Sequence, residues 1–210
     1  MIYEMSLEDC RLSTFTIPRP VGIDIGVSNT AVLSDGTFYR NGRTYRDMEE
    51  RLKEENRKLS SVPTNTKQYR KTRSRLNHKF RRIVNKRKEN IENISADIVR
   101  NHTMIAMEDL SVKGLRSISR SKGMVKSYDD ASLGRLRQRI LDKAMEAGRR
   151  IVMVDPRNTS QMCSSCQNMV HKELSDRMHV CPYCGLVMDR DLNASLNILR
   201  LGSTRDPIPT

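Results

Sequence analysis

The sequence predicts a mixed α/β protein in which a sheet, a long helix and a cysteine-rich module share one chain. Three observations support this prediction. Apolar stretches with strand periodicity alternate with stretches of helical periodicity, an order typical of α/β sheets. Residues 65–100 carry one long helical pattern, and two Cys-x-x-Cys pairs lie near the carboxyl end. The 210 residues suffice for one core and a small appended module.

The strands are predicted from alternation and from turn signals. In VGIDIG, Val21, Ile23 and Ile25 alternate with two glycines and Asp24, which gives a period of two. TAVLSDGTFYR follows as two short strands joined by the turn signal SDG. HTMIAMEDL and IVMVDP contain apolar runs that are typical of buried strands. Residues 1–20 are predicted to be a loose lead-in.

The helices are predicted from apolar side chains that recur every three or four positions. Residues 46–60 are highly charged and are expected to be helical, and residues 65–100 form the longest pattern. Its apolar stripe comprises Leu76, Phe80, Ile83, Ile91, Ile94 and Ile98. ASLGRLRQRILDKAMEAGRR is amphipathic and is expected to stop at Gly148.

The last helix is expected over residues 188–201. Its buried face is predicted to comprise Leu192, Ser195, Leu196, Ile198 and Leu199. Residues 202–210 are expected to be a disordered tail. Residues 111–130 are rich in Ser, Gly and Lys, and they are equally consistent with a gate over a substrate and with an ordinary linker.

The charge of the chain predicts a polyanionic partner. The net charge is +13, and the stretch from residue 67 to residue 88 contains eleven basic side chains and no acid. They are Lys67, Arg70, Lys71, Arg73, Arg75, Lys79, Arg81, Arg82, Lys86, Arg87 and Lys88. An ordinary solvated helix mixes both signs, so this density favours nucleic-acid binding through phosphates. With no Trp and 4% aromatic residues, base stacking is expected to be minor.

The cellular location is predicted from what the sequence lacks. No apolar run approaches the roughly 20 residues of a spanning helix. The first residues, MIYEMSLEDCRLSTF, do not have the regions of a signal peptide. The sequence therefore predicts a cytoplasmic protein without a membrane partner, whose reduced cysteines bind metal instead of forming disulfides.

The two cysteine pairs predict a zinc ribbon over residues 159–187. The ligands are Cys163, Cys166, Cys181 and Cys184, and fourteen residues separate the pairs. Four thiolates complete a tetrahedral shell, so the Zn²⁺ ion would be structural. Because that shell is full, His171 and His179 are expected to be solvent-exposed polar residues. Cys10 is unpaired and is expected to be inert.

Acidic residues mark the ends of the predicted strands. Asp24 lies in an apolar strand, where a carboxylate is costly unless it pairs or binds a cation, although a turn role at the strand end is equally consistent. Glu108 and Asp109 point to opposite faces, so only one of them can share a site with Asp24. Asp155 precedes a proline and is expected to form a turn.

Two further acids, Asp189 and Asp191, open the last helix, and helical geometry alone does not choose between them. Asp189 is the better N-cap, which leaves Asp191 freer to face a metal. Three acids on separate elements, with no Ser–His or Cys–His constellation, favour two Mg²⁺ or Mn²⁺ ions and phosphodiester hydrolysis.

Four motifs, in order, resemble the RuvC-like nuclease half of TnpB, the transposon-encoded RNA-guided endonucleases related to type V CRISPR effectors. They are GIDIGVSNTAVLSDG, IAMEDLSVKGL, VDPRNTSQMCSSC and CPYCGLVMDRDLNASLNI. The resemblance implies an RNase H-like (RuvC) fold over residues 21–158 and 188–201, with the helical insertion 46–100 and the zinc ribbon inserted. It also implies that Asp24, Glu108 and Asp191 are the catalytic acids, with DNA as the substrate and RNA as the guide.

The family normally carries an N-terminal half that grips the guide RNA, whereas 20 residues precede Val21 here. The first hypothesis is therefore a metal-dependent DNA endonuclease, with a separate N-terminal recognition polypeptide as one source of the absent half. The second is a truncated or domesticated nucleic-acid-binding protein without cleavage. A third, a junction resolvase, predicts a preference for branched DNA.

Overall fold

The computed structural model of the chain describes residues 19–109, 132–173 and 175–204. In chain order these residues form β1 (Arg19–Asp24), β2 (Asn29–Leu33), β3 (Phe38–Arg40), α1 (Thr44–Ser60), α2 (Lys67–Asn101), β4 (His102–Glu108), α3 (Leu133–Glu146), β5 (Arg150–Val154), β6 (Met178–Val180), β7 (Val187–Asp189) and α4 (Arg190–Ser203). The predicted mixed α/β class is confirmed. Two predicted boundaries are wrong, because β1 starts inside the expected lead-in and α4 extends two residues into the expected tail.

Three other expectations cannot be compared with the structure. Cys10, the stretch of residues 111–130 and the final residues 205–210 lie outside the described residues. Within the described ranges, no helix combines the length and the apolar character that crossing a bilayer requires.

The main sheet has five strands in the order β3-β2-β1-β4-β5, so β1 is central. β1 pairs with β2 in antiparallel fashion and with β4 in parallel fashion, and β4 and β5 are also parallel. In this register Ile23 of β1 lies between Leu33 of β2 and Met107 of β4. The carboxyl ends of β1 and β4 therefore meet at the same edge of the sheet.

Helices cover both faces of this sheet. One face packs against α2 and α3, and its core comprises Val21, Ile23, Ala31, Leu33, Ile105 and Met107 from the strands and Ile91, Ile94, Ile98, Leu136, Ile140 and Ala144 from the helices. On the other face, Ala106 and Val152 pack against Ile198 of α4. Because side chains alternate along a strand, Asp24 and Glu108 project towards the α4 face.

Two glycines allow α4 to approach the sheet closely. A Cβ atom added at Gly22 of β1 would lie 2.1 Å from the backbone oxygen of Ser195 and 2.4 Å from the backbone nitrogen of Leu199. A Cβ atom added at Gly202 would lie 2.5 Å from that of Ala106. No larger residue fits at either position without a shift of the neighbouring atoms, so Gly22 sets the distance between α4 and β1, and Gly202 sets that between α4 and β4.

Helix α2 starts at the N-cap Thr66, whose hydroxyl oxygen accepts a hydrogen bond from the backbone N–H of Tyr69 (3.1 Å). Its first half packs on α1 through Leu52, Leu76 and Ile83. Its second half belongs to the main core described above. The expectation that Phe80 is a core residue is wrong, because its side chain is 40% exposed at the edge of the apolar stripe.

Candidate metal and nucleic-acid sites

The four predicted cysteine ligands lie on two short turns, the knuckles, which share the same backbone hydrogen bond. In the first, Cys163 accepts a hydrogen bond at its carbonyl from the N–H of Gln167, and in the second Cys181 accepts one from Gly185 (3.0 Å in both). Gln167 and Gly185 both have positive φ angles, 63° and 75°. The sequence places glycine at one of the two left-handed positions, where it is unstrained. The strands β6 and β7 form an antiparallel hairpin on either side of the second knuckle.

The sulfur atoms have the spacing of a tetrahedral ligand set. The Sγ atoms of Cys163 and Cys184 are 3.7 Å apart, and those of Cys166 and Cys181 are 3.5 Å apart. A tetrahedron with arms of about 2.3 Å has edges of about 3.8 Å. Among the described residues, these four cysteines are the one group of three or more His, Cys, Asp or Glu whose ligand atoms all lie within 4.8 Å of one another. The site can therefore hold a metal ion.

The thiols differ in how readily they lose their protons. A hydrogen bond from the backbone N–H of Asn168 lowers the pKa of Cys166 to about 6. The backbone N–H of Leu186 favours the thiolate of Cys184, but desolvation and hydrogen bonds with the neighbouring sulfurs outweigh it and raise its pKa to about 11. The cluster thus contains at least one thiolate near neutral pH, and a divalent cation would displace the remaining protons.

The expectation for the two ribbon histidines is half wrong. His171 is exposed, with 84% of its side chain accessible, whereas His179 on β6 is fully buried. The Nδ1 atom of His179 lies against the Nζ atom of Lys172, and its Nε2 atom has no partner among the described residues. Sequence alternation alone could not reveal this, because in β6 the polar His179 is buried while its apolar neighbours Met178 and Val180 are exposed, the reverse of the usual pattern.

The three candidate catalytic acids lie at one end of the sheet. Asp24 ends β1 and Glu108 ends β4, directly after the paired residues Ile23 and Met107. Asp191 lies in the first turn of α4, which packs on β1 and β4. Its carboxylate accepts hydrogen bonds from the guanidinium of Arg190 (3.3 Å).

Glu108 and Asp191 lie near enough to Asp24 to act on its carboxyl group, but among the described residues the three acids do not form a group whose ligand oxygens all lie within 4.8 Å of one another. Burial, followed by the negative charges of Glu108 and Asp191, raises the pKa of Asp24 well above its usual value, and the guanidinium of Arg190 acts in the opposite direction. The residue Asp24 as a whole is only partly buried. Its carboxyl group, however, is closely surrounded by protein atoms, and this local burial determines how well the carboxylate is solvated. No hydrogen bond joins this carboxyl group to another described residue.

Glu108 has a hydroxyl partner. Burial raises the pKa of Glu108, and a hydrogen bond with the hydroxyl of Thr159 partly offsets that rise. An under-solvated pair of acids with few donors around it fits a divalent cation, since such a cation satisfies both the charge and the oxygen lone pairs.

The other acids singled out in the sequence have structural partners. Asp109 points away and forms an ion pair with Arg137 (2.9 Å). Asp155 accepts a hydrogen bond from the backbone N–H of Arg157 (2.9 Å), a turn of the expected kind. Asp189 is the N-cap of α4 and accepts from the N–H groups of Asp191 (2.8 Å) and Leu192 (3.1 Å), also as expected.

The predicted buried face of α4 is incomplete. Asn193 and Asn197 are fully buried as well, with exposures of 0% and 1%, whereas Leu192, Leu196 and Leu199 are only partly buried or lie at the edge of the core. The two asparagines are four residues apart, so they lie on one side of the helix. That spacing of two amides inside an apolar pattern was the available signal. The roles of Thr159 and Arg190 gave no such signal. Thr159 contacts a residue that is distant in the sequence, and the contact of Arg190 with Asp191 depends on the geometry of the helix cap.

The basic stretch lies on α2, and its charges fall into two groups. Nine of the eleven side chains are exposed, and Lys79 and Arg87 are partly buried. Lys79 forms an ion pair with Glu55 of α1 (2.9 Å), and the guanidinium of Arg87 lies 6.0 Å from the ring centroid of Tyr45. These two therefore fasten α1 to α2, while the exposed group forms an outward strip of positive charge.

Two protein-family models match the chain. Residues 16–119 match the family OrfB_IS605, described as "Probable transposase", and residues 134–198 match the family described as "Cas12f1-like, TNB domain". Together the two matches include the three candidate acids and the four cysteines.

Curated relatives agree with these matches. One relative, "Putative RNA-guided DNA endonuclease InsQ" of Escherichia coli, is 27% identical over 87% of this chain and 48% of that protein. A "Putative RNA-guided DNA endonuclease" of Streptomyces pristinaespiralis is 30% identical over 87% of this chain and 45% of that protein. The chain thus spans about half the length of the curated relatives it matches.

The fold matches that of a chain in a solved structure. The cryo-EM structure of a Cas12f1-sgRNA-target DNA complex contains a chain that superimposes with a TM-score of 0.58 and 21% identity, over 85% of this chain and 49% of that one. The RNase H-like (RuvC) fold that the sequence motifs implied is therefore confirmed.

Replacing Asp24 by Asn is expected to stabilise the metal-free protein near pH 7. A folded-state pKa above the unfolded value means that stability falls as the pH rises from the unfolded pKa through the folded one. The uncharged amide of Asp24→Asn removes this loss, so Tm should rise by about 2–4 °C, for a gain of about 1 kcal/mol. Thermal unfolding with a chelator, across a pH series, measures this gain.

The matched control for this prediction is Glu50→Gln, which removes an acid that is 84% exposed and should leave Tm nearly unchanged. If Asp24→Asn gave the same Tm as the wild type at every pH, the crowding of acids at this site would be refuted.

Proposed function

We propose that this chain, which belongs to the TnpB family, forms the cleaving part of a metal-dependent DNA endonuclease that RNA guides. The observation that carries the proposal is that the ends of β1 and β4 and the first turn of α4 bring Asp24, Glu108 and Asp191 to one end of the sheet, where burial and then the two other acids raise the pKa of Asp24. A buried carboxylate with other acids nearby is costly for a protein unless it binds a cation. Both relatives carry the name "Putative RNA-guided DNA endonuclease", and this name indicates DNA as the substrate and RNA as the guide.

In this proposal Asp24, Glu108 and Asp191 bind Mg²⁺ or Mn²⁺, which would activate a water molecule and stabilise the leaving oxygen of a phosphodiester. Asp24 must lose its proton before it can act as a ligand, and its raised pKa makes that loss dependent on pH. Arg190 holds one oxygen of Asp191 in place. The apolar core on the opposite face of the sheet supports the strands that carry Asp24 and Glu108.

The four cysteines are proposed to bind a structural Zn²⁺ ion. Their sulfur spacing and the absence of a fifth ligand among the described neighbours support a closed tetrahedral site. We further propose the cytoplasm as the location, since reduced thiols are available there to bind the metal.

The exposed basic strip on α2 is proposed to contact phosphates of DNA or RNA. Arg70, Arg81 and Lys88 lie within about 20° of one another around the helix axis, at about 100° per residue, and span about 27 Å along it. Such a line of charge fits a nucleic-acid backbone, and contacts of this kind are salt-dependent and weakly sequence-specific.

The purified protein is expected to contain one zinc ion per chain, and Cys181→Ser should reduce that content to a small fraction. Cys181 is a buried member of the sulfur cluster, and an alcohol is a much poorer Zn²⁺ ligand than a thiolate. Metal analysis by mass spectrometry measures the content. Cys10→Ser is the matched control and should retain the full ion; a metal-free wild type would refute the zinc assignment.

Cleavage of DNA should require Mg²⁺ or Mn²⁺ and should fall by about a hundredfold or more in Asp24→Ala and Glu108→Gln. The matched control for the latter is Asp109→Asn, since Asp109 is its chain neighbour but pairs with Arg137. The substrates are single-stranded, double-stranded and branched DNA, tested with any RNA that co-purifies with the chain and with DNA complementary to it.

The result of this assay separates the three hypotheses. Metal-dependent cutting that both acid variants lose supports the endonuclease, and a strong preference for branched DNA would instead indicate a resolvase. Salt-sensitive binding without cutting on any substrate would contradict the endonuclease and support a binding protein.

The double variant Arg70→Ala/Arg81→Ala is expected to bind nucleic acid more weakly and with a smaller salt dependence. Loss of two phosphate contacts should lower the slope of log K against log salt by about 1.8. Titration by fluorescence anisotropy at several salt concentrations measures the slope. The control, Lys53→Ala/Lys58→Ala, removes two exposed lysines that are already paired with acids on α1; an equal effect there would argue against a specific strip.

A further inference from the structure

A short segment, residues 159–164, links the sheet to the first zinc knuckle and contacts both candidate metal sites. It begins at Thr159, which is buried (4% exposed) and whose hydroxyl contacts the Oε1 atom of Glu108. It includes Cys163, one of the four sulfur ligands. The segment thus joins a candidate catalytic acid to the ribbon over a few residues.

Two buried amides of α4 hold this segment. Asn197 donates from Nδ2 to the carbonyl oxygens of Thr159 (2.9 Å) and Met162 (2.7 Å). Asn193 donates from Nδ2 to the same Met162 oxygen (2.7 Å), and its Oδ1 atom accepts from the backbone N–H of Ser164 (2.9 Å). Both ends of the segment are therefore fixed to the helix that carries Asp191.

We propose that Thr159 is a positioning residue for Glu108, and that Asn193 and Asn197 fix Thr159 so that α4 sets the positions of both Asp191 and Glu108. This inference rests on the proposed function, since it concerns the same carboxylate site. One oxygen of Glu108 is held by the hydroxyl, and the other has no partner among the described residues, so it stays open to a cation.

The hydroxyl is suited to this role by its position as well as its chemistry. Thr159 also contacts the carbonyl oxygen of Pro156 (3.1 Å), so its rotamer is fixed from two sides. A hydrogen-bond partner behind a metal ligand orients that ligand, and its removal typically lowers metal affinity by about 10–100-fold. Both asparagines are buried, and their amide N–H groups donate to backbone carbonyl oxygens of the segment.

The test compares Thr159→Val, which keeps the shape and removes the hydroxyl, with Thr159→Ser, which keeps the hydroxyl. Mn²⁺ binding to the zinc-loaded protein is measured by electron paramagnetic resonance, independently of cleavage. Thr159→Val is expected to weaken Mn²⁺ binding by about tenfold or more, and Thr159→Ser by less than about threefold. Zinc content and Tm are measured for each variant.

A second variant keeps the test decisive if Thr159→Val folds poorly. Asn197→Leu touches no acid, yet it should weaken Mn²⁺ binding in the same direction. The double variant should be no weaker than the more affected single one, because both act through Glu108.

The inference is overturned if Thr159→Val binds Mn²⁺ as the wild type does, or if the two effects add fully. Asp24→Ala separates this failure from a failure of the proposed function. If none of the Mn²⁺ binding of the wild type is lost in Asp24→Ala, the proposed carboxylate site itself is refuted.

Discussion

The direct contact between α4 and the central strand is the constraint on which the rest of the site depends. At Gly22 the helix backbone occupies the space that any Cβ atom would need, and Gly202 allows a similar approach further along the helix. Because β1 and β4 are parallel and adjacent, Asp24 and Glu108 project towards the same helix. The N-terminal turn of that helix then brings Asp191 to them. Gly22 and Gly202, which carry no side chain, therefore determine how close α4 brings Asp191 to Asp24 and Glu108.

The buried acids at this edge lower the stability of the folded protein, and apolar packing in the surrounding structure offsets that loss. The strands below them bury an apolar core of ordinary composition, in which each large side chain contributes roughly 1.5–3 kcal/mol. Nearby donors are few: Arg190 serves Asp191 and Thr159 serves Glu108, while Asp24 has none among the described residues. The buried carboxyl groups of Asp24 and Glu108 are therefore the least solvated acids of this edge, which is the feature on which the proposed cation site rests.

Local patterns predicted the elements well, because each depends on neighbours in the chain. The alternation in VGIDIG predicted β1, the cap at Asp189 followed from helix chemistry, and the two knuckles followed from cysteine spacing. The errors concern residues whose environment is set by distant parts of the chain. Phe80 lies on the apolar stripe yet is exposed, and His179 is buried while its apolar neighbours Met178 and Val180 are exposed. The contact of Thr159 with Glu108 spans 51 residues and leaves no periodic trace.

The junction between the ribbon and α4 has no spare residue. β7 ends at Asp189, the same residue caps α4, and the N–H of Arg190 is tied back to the carbonyl of Arg177 across the base of the hairpin (2.8 Å). A rotation of the hairpin would therefore be transmitted directly to the first turn of α4, which carries the Asp191 carboxylate. The position of Asp191 is therefore tied to that of the cysteine module through a junction without a flexible linker.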